Sequence, residues 1–243
     1  MNKACLVSVA LGLFFLSNAV SVADVVIFPT GDCGWTVKVA PFTEDGATPA
    51  PVPPPTKNSF LTPTQIEVTQ VDNVKRIRIT WINGKTSEEW TLPKFPVVFK
   101  QDPRDGSVFP VQSSNMEMQN ERASMPYDLA AFDWVRPDYL KEKTPIPYLE
   151  KLCFHYLLPG GGTGPTARDF APGGIGYNAI GNLTPQHEAW IDAKTQLPVA
   201  LHFGTSLYSF TFPAEPPTGP LVLPPNIKKE VDYYKTVMGY PAN

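Results

Sequence analysis

The stretch from Val74 to Leu92, VKRIRITWINGKTSEEWTL, constrains this chain more than any other. Apolar and polar residues alternate on both sides of Asn83-Gly84, the dipeptide that most strongly marks a tight β-hairpin. A two-residue turn there pairs Ile82 with Lys85, Trp81 with Thr86, Arg78 with Glu89 and Ile77 with Trp90. Successive side chains of a strand face opposite sides. This register therefore gives an apolar face of Ile77, Ile79, Trp81 and Trp90. The wet face carries Arg76, Arg78, Thr80, Lys85, Ser87, Glu89 and Thr91. A ribbon with one oily side must bury it against other elements.

A second ribbon, PVALHFGTSLYSFTF at 198–212, has the same character. Gly204-Thr205 suits a type II′ turn, which sets Leu201 opposite Tyr208 and Val199 opposite Phe210. Its apolar face is Val199, Leu201, Phe203, Tyr208 and Phe210. Period-two patterns or short apolar runs at 25–29, 35–41, 64–71, 96–100, 107–112, 149–158 and 186–192 add further strands. Proline, at 28 of 243 residues, fixes φ and removes a donor, which favours turns and strand ends over long helices. Two helices are expected: a short one at 128–135, and 227–238 with Asn226 as N-cap, Gly239 as stop, and Ile227, Val231, Tyr234 and Met238 on one face. The fold class is mainly β, a strongly curved antiparallel sheet or half-open barrel with one or two short helices, including a C-terminal one.

The first residues read as a signal peptide, 1–23: Lys3 is the positive n-region, 4–16 the apolar run, and Ser21-Val22-Ala23 the small-residue cleavage site. The apolar run is too short for a transmembrane segment. The remainder, 24–243, is a single β-rich domain, secreted or periplasmic, interrupted by a Pro-rich loop at 48–56 and a Gly-rich loop at 159–181. In an oxidising compartment Cys33 and Cys153 favour a disulfide bond over two separate buried thiols. Such a bond would close a loop of about 120 residues and contribute about 4–5 kcal/mol at best.

The catalogue of chemical motifs comes out nearly empty. A net charge of −3 without basic runs argues against nucleic acid. Gly174-Ile175-Gly176-Tyr177-Asn178-Ala179 matches a dinucleotide fingerprint only in spelling, because no strand–turn–helix frames it. No G-x-S-x-G elbow is present. Glu88 and Glu89, adjacent on a strand, point to opposite faces and cannot act as a pair. His155, His187 and His202 form no metal-binding spacing, although convergence from separate strands stays open, and with it a metal-dependent enzyme using His and acidic residues. The sequence points to no catalytic residues, metal ligands or cofactors.

The segment from Glu188 to Val231 resembles the C-terminal half of the LolA/LolB-like half-barrel family, exported carriers and their uncharacterised exported relatives. The likeness runs through Trp190-Ile191-Asp192, Thr195, Leu197-Pro198, Tyr208-Ser209-Phe210 and Leu223-Pro224, with Phe132-Asp133-Trp134 and Cys153 upstream. It implies a non-enzymatic binding protein with a concave apolar face for a lipid or other apolar ligand. The candidate ligand-binding residues are Trp81, Trp90, Leu201, Tyr208 and Phe210, with 159–181 as a flap. The alternative is a structural or protein-interaction module whose core is fully packed. No protein partner is specified.

Overall fold

The computed structural model describes residues 26–42, 62–112, 126–158 and 187–239. The signal segment 1–23, the Pro-rich stretch 48–56 and the Gly-rich stretch 159–181 lie outside the described residues. Eleven strands form one antiparallel sheet: β1 (Cys33–Pro41), β2 (Pro63–Val71), β3 (Val74–Trp81), β4 (Thr86–Thr91), β5 (Val97–Gln101), β6 (Val108–Gln112), β7 (Ile146–Tyr148), β8 (Lys151–Leu158), β9 (His187–Asp192), β10 (Pro198–Phe203) and β11 (Ser206–Thr211). Among the described residues one α-helix, α1 (Pro225–Met238), follows them. The strand expected at 25–29 does not form over the described residues 26–29. Residues 26–30 run as irregular chain held at Ile27, whose N–H donates to the Gln196 carbonyl at 3.1 Å.

The spatial order is β6-β5-β4-β3-β2-β1-β11-β10-β9-β8-β7. The chain enters at the middle, meanders outward to β6, crosses to the opposite edge at β7, and meanders back until β11 lies beside β1. The sheet is curved and does not close. Its two edges each carry a proline, Pro110 in β6 and Pro147 in β7. A proline has no N–H to offer a further strand, so it is admitted at an edge and blunts it.

The first hairpin differs in register from the sequence expectation. Arg76 pairs with Trp90, Ile77 with Glu89, Arg78 with Glu88 and Ile79 with Ser87. The Trp81 N–H donates to the Lys85 carbonyl at 2.9 Å and the Gly84 N–H to the Trp81 carbonyl at 2.8 Å. The loop is therefore three residues, Ile82-Asn83-Gly84, with Gly84 at φ +78°. This is the turn-plus-bulge solution that ranks next to the two-residue turn. The second hairpin matches expectation: Leu201 pairs with Tyr208 and Phe203 with Ser206 across Gly204-Thr205, with Gly204 at φ +62°. Only Val199 departs. A register shift between Pro198 and Ala200 turns it into a different cluster from Leu201.

Alternation along the paired strands sorts the core onto two faces. One face collects Trp35, Val37 and Val39 of β1, Ile66 and Val68 of β2, Ile79 of β3, Phe154 and Tyr156 of β8, Ala189 and Ile191 of β9, Leu201 of β10 and Phe210 of β11. The other face carries two separate clusters. Trp90, Leu92, Val97 and Phe99 receive Ile227 and Val231 of α1. Tyr148, Cys153, Trp190, Val199, Ala200 and Leu207 form the third cluster, on the β7–β11 wing. The C-terminal helix thus exists and ends at Gly239, and it buries Ile227 and Val231 with Tyr234 partly covered, but Met238 is exposed, and the helix seats behind β4–β6 and not over the main apolar face. Its start also differs. Pro224 occupies the N-cap and Pro225 the first turn, where proline's missing donor costs nothing.

Candidate functional site

The main apolar face is covered by the crossover between the two edges. Residues 126–140 run over it as turns and two short 3₁₀ segments, Leu129–Phe132 and Pro137–Tyr139, in place of the helix expected at 128–135. This strap drives Tyr127, Leu129, Phe132, Trp134 and Val135 into the face. The Phe132 ring meets Phe210 edge-on at 5.2 Å, and Trp134 packs on Tyr139 at 6.1 Å. Two polar contacts tie the strap at its start. The buried Trp35 Nε1–H donates to the Tyr127 carbonyl at 2.9 Å. The Lys75 ammonium pairs with Asp128 at 2.7 Å, while the same carboxylate accepts from the Ala130 N–H at 3.3 Å and so caps the 3₁₀ turn.

Four of the five candidate ligand-binding residues lie on this face. Leu201 is fully buried, Phe210 touches the strap, and Trp81 and Tyr208 pack at its margin. Burial holds the Tyr208 phenol above its ordinary pKa. The Trp81 Nε1–H donates to Ser87 Oγ at 2.9 Å. Trp90 is a correction: the three-residue loop rotates β4 by one position, so Trp90 faces the other side, beneath α1 and beside Glu88, to which its Nε1–H donates at 2.8 Å.

The proposed disulfide is a second correction. Cys33 and Cys153 are both buried and free, Cys33 in the main cluster and Cys153 in the third. The sheet itself separates them. Burial raises both thiol pKa values, that of Cys153 to about 11, which leaves both as inert thiols.

Sequence reasoning left the histidines unresolved, and two of them converge. His155 of β8 and His202 of β10 flank the Glu188 carboxylate of β9: His155 Nε2 lies 2.7 Å from Oε2 and His202 Nδ1 lies 3.7 Å from Oε1. All three side chains are largely buried. The third histidine, His187, alternates to the opposite face, where it packs on Phe203 and Trp134. Burial first, then the charge of His202, lowers its pKa to about 4. The register shift in β10 is what sets His202 opposite Glu188, and no residue pattern announces such a bulge. Among the described residues, no group of three or more His, Cys, Asp or Glu side chains is arranged to hold a metal ion.

A groove of about 380 Å³ lies at the centre of the sheet. Its lining includes Thr36, Glu67, Thr69, Thr211 and Glu215, and none of the five candidate ligand residues. Thr36 pairs with both Glu67 and Thr211, so the groove spans β1, β2 and β11, with Trp35 and Val68 also in its lining. No helix of the described residues is long and apolar enough to cross a membrane.

These features define the class: an open, mainly antiparallel β-sheet with one C-terminal helix. No protein-family model matches the chain, and no curated protein does. Among solved structures it is similar to lipoprotein LppX of Mycobacterium tuberculosis, at 10% identity and a TM-score of 0.41, over 75% of this chain and 84% of that one.

Proposed function

We propose that this chain is an exported, non-enzymatic protein that binds a lipid or other apolar ligand between the main face of its open sheet and the 126–140 strap. The observation that carries the reading is the nature of the cover. Among the described residues, an eleven-stranded sheet with a continuous apolar face is roofed by short 3₁₀ turns rather than by a helical layer. Such turns make few backbone bonds of their own, so a strap of this kind lifts at lower cost than a packed helix. Phe132 and Trp134 then serve as plugs that a ligand displaces, and Trp81, Leu201, Tyr208 and Phe210 serve as its contacts. The leader-like residues 1–23 support export, and the likeness of 188–231 to the LolA/LolB-like carriers supports the cargo class.

A second reading rests on a different observation. Leu201 is 0% and Phe132 1% exposed, so the face is filled by the chain's own side chains, as a structural or protein-interaction module requires. Native mass spectrometry of the delipidated protein, offered a lipid extract, separates the two. The Lys75→Met variant, which releases the strap's ion pair, is tested beside the wild type. Retained lipid, with faster uptake in the variant, is the expected result. Absence of bound lipid from both proteins overturns the carrier reading and favours the module.

A further inference from the structure

Two histidines and a glutamate meet, buried, on the β7–β11 wing. His202 Nε2 lies 2.8 Å from the Gly204 carbonyl. A carbonyl only accepts, so that nitrogen carries a hydrogen. The opposite nitrogen, Nδ1, is buried without a hydrogen-bond partner and faces Glu188 Oε1 at 3.7 Å. Across the same carboxylate, His155 Nε2 sits at 2.7 Å from Oε2 and donates to it. Its Nδ1 faces Glu142 Oε2 at 4.0 Å, an oxygen that is buried and likewise without a hydrogen-bond partner. Each ring therefore has one nitrogen committed as donor and the other turned to a carboxylate across a gap.

The charge state of the rings decides what those gaps are worth. A neutral imidazole presents a lone pair to the carboxylate, and the two repel. An imidazolium presents N–H, and a charge-assisted hydrogen bond closes the gap. The ring faces point the same way. His202 stacks on Phe42 at 3.5 Å, and His155 stacks at 4.8 Å on Trp190, which itself stacks on Tyr148 at 4.3 Å. Aromatic faces attract cations.

Among the described residues, three neighbours stay uncharged near neutrality and one charged pair compensates itself. Tyr148 on β7 keeps its phenol proton to about 12, through burial and then the Glu188 charge. Cys153 on β8 keeps its proton to about 11. His187 on β9 stays neutral down to about 4. The Lys151–Asp192 pair, at 3.3 Å, compensates itself at the far end of β8.

We propose that His155, Glu188, His202 and Glu142 form a proton-operated clamp on the edge of the sheet. Segment 140–148 is docked there by few bonds: the Lys141 N–H to the His155 carbonyl at 2.8 Å, the Leu140–Tyr156 bridge, and the short β7 ladder. A proton on each Nδ1 draws in both carboxylates and fastens this segment to β8. Without those protons the gaps reopen and the segment lifts more readily.

Thermal unfolding of the whole chain at roughly pH 7.5 and 5.5, the range in which histidine changes charge, tests the clamp. Glu142→Gln is the variant of choice, because Glu142 is only partly buried and its loss leaves the core intact. On acidification the wild type gains about 2–4 °C over this variant, the shift that one such contact produces in a chain of this size. Proton NMR of the wild type at the acidic pH shows two slowly exchanging downfield imidazole Nδ1 protons, and one of them disappears in Glu142→Gln. Identical pH responses in the two proteins overturn the proposal. So does the absence of both downfield protons, and so does stabilisation by added zinc at the higher pH, which would give the free lone pairs to a metal.

Discussion

Trp81 and Trp90, on the two arms of one hairpin, face opposite sides of the sheet: Trp81 packs towards the main cluster, while Trp90 is sealed beneath α1. A single residue in the loop makes the difference. With Ile82 inside the loop, Arg76 and not Ile77 stands opposite Trp90, and the guanidinium of Arg76 lies over the indole at 6.0 Å. The hairpin is therefore an adaptor between two cores.

That arrangement depends on Gly84, whose φ of +78° is left-handed, with nothing within 4 Å of where a Cβ would project. The cost of substitution there is conformational alone. Gly84→Val is expected to lose about 1–2 kcal/mol, and Gly84→Asn a smaller amount, because asparagine visits this region more readily. Urea unfolding midpoints of the two variants check the order. Equal midpoints for Val and Asn would place the loop in another conformation.

His187 makes a contribution of known sign. Its folded-state pKa is lowered from 6.5 to about 4 by burial and by the His202 charge. Below about 6.5 the unfolded chain takes up a proton that the folded chain refuses, so this residue's contribution is intact at neutral pH and is lost as the pH falls towards 4. The full loss is about 3 kcal/mol. His187→Phe, which keeps a flat ring against Trp134 and Phe203, should flatten that part of the stability-against-pH curve measured by denaturant titration. The clamp at Glu142 acts in the opposite direction, and the two variants separate the effects.

The edge prolines guard against self-pairing. Pro110 stands opposite Phe99 and Pro147 opposite Leu152. Replacing both by threonine restores an N–H at each edge and a residue suited to strands. Size-exclusion chromatography with light scattering is expected to show concentration-dependent oligomers for Pro110→Thr/Pro147→Thr where the parent is monodisperse.

Peptide mapping under non-reducing conditions should recover Cys33 and Cys153 unlinked. Thiol titration should find both unreactive in the native state and reactive in denaturant, as burial of the two sulfurs requires. A linked Cys33–Cys153 peptide would contradict the placement of the two residues on opposite sides of the sheet.

Alternation made most of the fold legible. The ladder of Trp35, Val37 and Val39, the Gly204-Thr205 turn and the Ile227–Val231 stripe each specify one outcome locally, and each is found. The misreadings come where one extra residue changes every facing beyond it, as at Ile82 and at Val199. The cover of the apolar face was hidden for another reason. Phe132 and Trp134 sit on turns that have no period, so nothing in their spacing shows what they bury. The convergence of His155 and His202 on Glu188 depends on a bulge in β10, and long-range pairing of that kind carries no local signal.

Thr36 pairs with Thr211, so the first strand finds one of its two neighbours only when the last has been made. Each wing can zip by itself, strand after adjacent strand, but the seam between them must close across nearly the whole chain. Contacts of such sequence separation are slow to form. During synthesis β1 waits with one side unpaired, and the joint between β1 and β11 is the step that commits two half-sheets to one molecule.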